Sequence, residues 1–147
     1  MSVMALLWMS DSRMGVSPTR VFFSEVVLAV TNWAVNQARK SASAWLALVD
    51  ATQYGQSWDE AATLFKSAVT KQEWMKAVQS ARAPLGALKS RVFKTATFTR
   101  SLPGAPDGEY VVIQFDTRFE NKAAAVETVT PMRQKDGSWK VSGYYIR

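Results

Sequence analysis

Residues 108–147, GEYVVIQFDTRFENKAAAVETVTPMRQKDGSWKVSGYYIR, constrain the fold more than any other stretch of the chain. Apolar and polar residues alternate along it with a period near two, which is the pattern of half-buried strands. Asn121-Lys122 and Asp136-Gly137 interrupt the alternation, and Asp-Gly is among the strongest hairpin signals because its residues tolerate positive φ. The stretch reads as three antiparallel strands, Glu109–Glu120, Ala123–Lys135 and Ser138–Arg147. Leu88–Leu102, rich in Thr, Val and Phe, supplies a strand before them, and the Pro- and Gly-rich loop Pro103–Gly108 turns the chain.

Two-residue turns at both sites would set the register and so the two faces of the sheet. Thr117 would pair with Val126, Phe115 with Thr128, Ile113 with Thr130, Met132 with Val141, Thr130 with Gly143 and Thr128 with Tyr145. One face then collects Val111, Ile113, Phe115, Phe119, Val126, Met132, Trp139, Val141 and Tyr145, interrupted by the hydroxyls of Thr117, Thr128 and Thr130. The other gathers Val112, Gln114, Asp116, Arg118, Glu127, Val129, Pro131, Tyr144 and Ile146. On that face Asp116 falls across from Glu127 with Arg118 on the diagonal, the arrangement of a surface ion cluster. Glu127 is the charge in this region to test.

Upstream the period changes to that of helices. Phe22, Val26, Val30, Trp33, Ala34 and Trp45 share one helical phase, with Ser17-Pro18 as a start. This favours a long amphipathic helix over a degenerate export segment in which Met14 is the start and Ala42-Ser43-Ala44 the cleavage pattern. Met1–Met9 is apolar but too short to span a bilayer, and Glu25 and Asn32 interrupt the next apolar run, so no transmembrane segment is expected. The helix should end near Thr52, with Trp45, Leu48 and Val49 on its buried face. Ser57–Glu60 fits a capping box for a short second helix reaching about Ser67, and Thr70–Glu73 fits another for a third. Pro84 and Gly86 should stop the third helix. Residues 1–42 then form an N-terminal extension and residues 43–147 a single α+β domain.

The chain of 147 residues contains no Cys and no His. Disulfides, thiolate nucleophiles, histidine general bases and the usual zinc ligands are therefore absent, and neither a metal nor a cofactor is expected. The net charge of +6 is concentrated, with 8 Lys/Arg against 1 Asp/Glu in residues 66–100. Lys71, Lys76, Arg82, Lys89 and Arg91 would serve an anionic polymer, but no RNA-reading motif accompanies them and nucleic acid is not the expected partner.

The hydroxyls on the apolar face need partners once buried. Thr117, Thr128, Thr130 and Tyr145 are read as the polar floor of a cavity between sheet and helices, with Trp45 and Trp58 as walls. Asp50 belongs to the same candidate site: a carboxylate at a helix C-terminus faces an unfavourable dipole and needs a specific partner, such as an Arg. The apolar members of the other face make Val112, Gln114, Val129, Tyr144 and Ile146 a candidate partner surface, including a homodimer contact. Such a protein binds a small ligand or a partner without catalysis.

The segments AWLALVDATQYGQSWDEAATLFK, APLGALKSR, SLPGAPDGEYVVIQFDTRFENKAAAVETVTP and DGSWKVSGYYIR resemble the bacterial "domain of unknown function four-zero-one-nine" family over about Ser43–Arg147. The resemblance implies about three helices on a curved four-stranded antiparallel meander, similar to cystatin-like or nuclear-transport-factor-2-like cones. It also implies a small exported domain of the cell envelope or periplasm, with no assigned reaction. Two alternatives accompany it: a cone-fold isomerase or hydrolase using Asp50 or Tyr145, and a structural module using the outer sheet face.

Overall fold

The helical phase ending at Trp45 is realised as one 26-residue helix, α1 (Glu25–Asp50), in a computed structural model that describes residues 25–147. The readings that fall on Met1–Met9, Met14, Ser17-Pro18 and Phe22 lie outside the described residues. At about 1.5 Å per residue α1 is roughly 39 Å long, and it runs unbroken through residue 42. Ala34, Ala38 and Ala42 are buried at 4%, 0% and 0% exposure. Three alanines on one stripe leave room for close approach to the sheet, and Ser41 Oγ donates to the Trp139 carbonyl at 2.7 Å. No helix among the described residues is long and apolar enough to cross a membrane.

Beyond α1 come α2 (Tyr54–Asp59), α3 (Thr63–Ala68), α4 (Lys71–Arg82) and a 3-10 turn at Ala83–Leu85. The expected single helix over residues 57–67 is thus two short ones. Ser57 does not cap: it lies inside α2, fully buried, with its hydroxyl donating to the Tyr54 carbonyl and accepting from Trp74 Nε1 at 2.9 Å. The break follows from a tertiary bond, because Ala62 is extended and its N–H donates to Val141 O at 2.8 Å. The Thr70 box forms as read, with Glu73 N–H on Thr70 Oγ1 and Thr70 N–H on Glu73 Oε2. Gly86 ends the helical stretch at φ 72°.

The strands are β1 (Leu88–Thr99), β2 (Tyr110–Phe119), β3 (Lys122–Arg133) and β4 (Trp139–Ile146), antiparallel neighbours in sequence order. The α+β class and the four-stranded meander hold. The register between β2 and β3 does not. Phe119 pairs with Lys122, so the turn is Glu120-Asn121; an irregularity between Thr117 and Phe119 then adds one residue to β3, so that Thr117 pairs with Ala125 and Phe115 with Glu127, one residue from the expected register. The placement of the turn is tertiary. Glu120 and Asn121 donate their N–H groups to the Ala87 and Leu85 carbonyls, each at 2.8 Å, which holds the turn against the end of the 3-10 segment.

The turn alone shifts β3 by two residues and would keep the expected faces; the extra residue of the irregularity reverses every β3 side chain beyond it. Glu127 and Val129 enter the core at 0% exposure, while Val126, Thr128 and Thr130 turn to the opposite face. The second hairpin also differs, since Gly137 N–H donates to Gln134 O and Gln134 N–H to Ser138 O, leaving a three-residue loop with Gly137 at φ 86°. Its offset is undone by a second irregularity between Thr130 and Pro131. Thr130 therefore does pair with Gly143, and Thr128 with Tyr145, as read, whereas Met132 meets Lys140 instead of Val141. The one unpaired residue of β4, Ser142, lets Val141 and Tyr144 face inward together, at 0% and 6% exposure.

Candidate functional site

The space between helices and sheet is filled by rings and by an ion-pair chain. Trp45, 3% exposed, lies with its ring centre 6.2 Å from Phe65, 5.7 Å from Trp74 and 5.3 Å from Tyr144. Its Nε1 donates to Ser57 O at 2.8 Å, and Trp58, half-buried, donates to Val69 O at 2.9 Å. Both indoles thus bury their rings with the polar edge satisfied, the requirement for tryptophan in a core.

Beside the rings a chain of charges runs from α4 to β3 and is closed by a tyrosine of β4. Arg82 Nη2 donates to Asp50 Oδ1 at 2.9 Å. Arg91 bridges both acids end-on and side-on: Nη1 and Nη2 reach Asp50 Oδ2 and Oδ1 at 2.7 and 3.0 Å, and Nε and Nη2 reach Glu127 Oε1 and Oε2 at 2.7 and 3.2 Å. Thr117 Oγ1 donates to Glu127 Oε1 at 2.6 Å, and the Tyr144 hydroxyl donates to Glu127 Oε2. Glu127 therefore accepts four hydrogen bonds in a fully buried position. Burial by itself would raise the Asp50 carboxyl, but the hydrogen bonds and charge of Arg91, then of Arg82, hold it below the ordinary value. Burial and the Glu127 charge push the Tyr144 phenol well up, so it stays a donor.

Arg82 is 7% exposed, with Nε and Nη1 lacking hydrogen-bond partners among the described residues and the guanidinium centred 4.8 Å over Phe119. Only Asp50 and Arg91 touch solvent appreciably, with side chains 20% and 14% exposed. This is an arrangement that locks elements together. It offers an incoming molecule no free carboxylate, and its tyrosine is sealed.

The structure divides the expected site residues between two sides. Thr117, Asp50 and Trp45 meet inside as described, with Trp58 beside them. Thr128, Thr130 and Tyr145, expected as their neighbours, lie across the sheet because of the β3 slip. Of the expected partner surface, Val112 and Gln114 stay on the open face, while Val129 and Tyr144 are core and Ile146 packs partly buried against it. The Asp116–Glu127 cluster does not form; Asp116 is 60% exposed with Lys94 Nζ at 3.7 Å. Asp50 has the arginine partners its helix-end position called for. Arg91 and Arg82 went unread as those partners, although both stand in the one strongly basic stretch of the sequence.

On the open face, one row crosses all four strands: Thr95 pairs with Gln114, Gln114 with Thr128, and Thr128 with Tyr145. Thr95 is exposed and the other three are half-buried. The face is covered at one end, where the 100–109 loop returns and the Tyr110 hydroxyl donates to Pro106 O at 2.6 Å. Near it a shallow recess of about 650 Å³ is lined by Arg100, Ser101, Asp107, Gly108 and Glu109.

Fold and site together define a small α+β domain whose helices are tied to one face of a four-stranded meander by an internal ion-pair chain. The chain belongs to the family described as "Protein of unknown function (DUF4019)", which matches residues 41–144. No curated protein matches it.

Proposed function

We propose that this domain is a non-enzymatic binding module and that the open face of the sheet makes the contact. The observation that supports this reading is the cross-strand row Thr95–Gln114–Thr128–Tyr145, with half-buried Val112 alongside. It presents hydroxyl, amide and aliphatic groups on a rigid surface, while the acids an isomerase or hydrolase would use are already paired inside. This reading merges the hydroxyl-bearing residues Thr128 and Tyr145 with the partner residues Val112 and Gln114, while Thr130 on the same side is buried at 6% exposure. A cone whose concave side holds a small ligand between sheet and helices is the competing reading, and of Thr117, Thr128, Thr130 and Tyr145 it keeps Thr117 alone on that side.

Native mass spectrometry of protein purified from its own host separates the two. Thr128→Arg on the open face should abolish a co-purifying species while leaving the free energy of urea unfolding within about 0.5 kcal/mol of the parent, the usual range for surface changes. Retention of the species by Thr128→Arg, with loss in Thr117→Val, would show that the interior holds it and that the open-face reading is wrong.

A further inference from the structure

The two edges of the sheet are finished differently. β4 is met from the side by the Ala62 N–H on Val141 O and the Ser41 hydroxyl on Trp139 O. The main chain of β1 pairs with β2 alone among the described residues, so its other edge presents a row of free N–H and C=O groups. Two irregularities interrupt that edge, between Leu88 and Ser90 and between Phe93 and Thr95. The unpaired residue in each is a lysine, Lys89 and Lys94. Between Lys94 and Arg100 the strand is regular, with Thr95 to Thr99 pairing in unbroken register.

Bulged lysines defend an edge against copies of itself, because two such strands would set cation against cation. The same charges favour a strand of opposite sign. Residues 88–100 hold four basic side chains and no acid. Arg91 is used internally, and Lys94 has only the exposed Asp116 at 3.7 Å. Next to the regular stretch Phe93 is 38% exposed, held by Phe115 at 6.3 Å and overlaid by Arg39 at 3.8 Å. Arg39 forms no ion pair among the described residues, and Arg100 stands 5.9 Å over Phe98.

We infer that β1 accepts an extended, acidic segment of another protein by strand addition along Thr95–Thr99. Main-chain bonds supply the attachment, and acidic side chains at the two ends of the added strand meet Lys94 and Arg100. Those two cations are six residues apart, about 20 Å at 3.3 Å per residue, so the segment carries acids at positions i and i+6 with apolar or Thr residues between. The inference stands apart from the open-face reading, which uses the surface of the sheet and not its edge.

The probe is the acetylated heptapeptide Glu-Val-Thr-Val-Thr-Val-Glu, titrated into the isotope-labelled full chain with amide exchange read residue by residue. Protection should appear at alternate amides of Thr95–Thr99. Affinity should fall at least tenfold for the version with a central proline, for a scrambled peptide of equal composition, and for Lys94→Glu/Arg100→Glu protein. That double variant should gain affinity for a lysine-flanked peptide, with unchanged exchange in β2–β4 confirming its fold. Equal binding of the scrambled peptide, protection on Thr128 and Tyr145 instead of β1, or no binding at millimolar peptide would each overturn the inference. So would concentration-dependent protection of β1 without peptide, which would make a second copy the occupant.

Discussion

A carboxylate with no solvent contact costs several kcal/mol unless its oxygens are fully used. Glu127 meets that condition through Arg91, Thr117 and Tyr144. The alternation of its strand gave reason to place it outside, since charged residues are seldom fully buried without partners. Its partners come from 36 residues before it on β1, 10 before it on β2 and 17 beyond it on β4. Arg91 is the residue on which the arrangement turns, because it alone bonds both acids. Arg91→Met keeps much of the volume and strands Glu127 without its counter-charge. The expected loss is about 3–5 kcal/mol, the range for breaking a buried pair from one side, read as a lowered urea midpoint with an unchanged slope. A loss below about 1 kcal/mol would mean that Thr117 and Tyr144 suffice to hold the carboxylate.

At the scale of elements, ends and edges carry the information. α1 stops in a Schellman arrangement, with Gln53 N–H on Leu48 O at 2.9 Å and Thr52 N–H on Val49 O at 3.1 Å. That motif needs a left-handed residue, and here it is Thr52 at φ 61°. A β-branched residue pays about 1–2 kcal/mol for that conformation, against about 0.5–1 kcal/mol of entropy for glycine. Thr52→Gly should therefore stabilise the domain by about 0.5–1 kcal/mol, measured by thermal or urea unfolding; a destabilised variant would show that the Thr52 side chain makes a contact worth more than the strain. The Glu120-Asn121 turn is the other decisive end. Its main-chain bonds to Leu85 and Ala87 link the helical half to the first hairpin, and the irregularity just before it, between Thr117 and Phe119, sets the register of the core.

Across the whole molecule, the Arg82–Asp50–Arg91–Glu127 chain joins the last turns of α1 and α4 to β1 and β3. Asp50 is the member through which pH acts on it. Its carboxyl is lower in the folded chain than its ordinary value of 3.8. A depressed folded value means the unfolded chain takes up the proton first, so this contribution is complete above pH 3.8, declines as pH falls below it, and is lost once pH passes through the folded value. Urea midpoints should thus show no Asp50-dependent change between pH 7 and 5 and a fall below about pH 4 that Asp50→Asn reduces. An acid response identical in Asp50→Asn would assign the fall to other carboxylates.

Local signals by themselves determined much of this protein. Alternation in residues 108–147 identified the three-strand run, Leu88 opened the strand before it, Thr70–Glu73 capped α4 and Gly86 ended the helical stretch. Each of these depends on residues a few positions apart, so the chain states it directly. The odd-numbered residues of β2 were placed inward correctly for the same reason. Only the tertiary structure decided the phase of β3. A period of two is satisfied equally by two registers, and the choice between them rests on the irregularity between Thr117 and Phe119 and on an arginine 36 positions from its glutamate. That single residue of slip sends Thr128, Thr130 and Tyr145 to the open face and brings Glu127, Val129 and Tyr144 into the core. Periodicity records which residues share a side; long-range hydrogen bonds and charge pairing determine which side is inside.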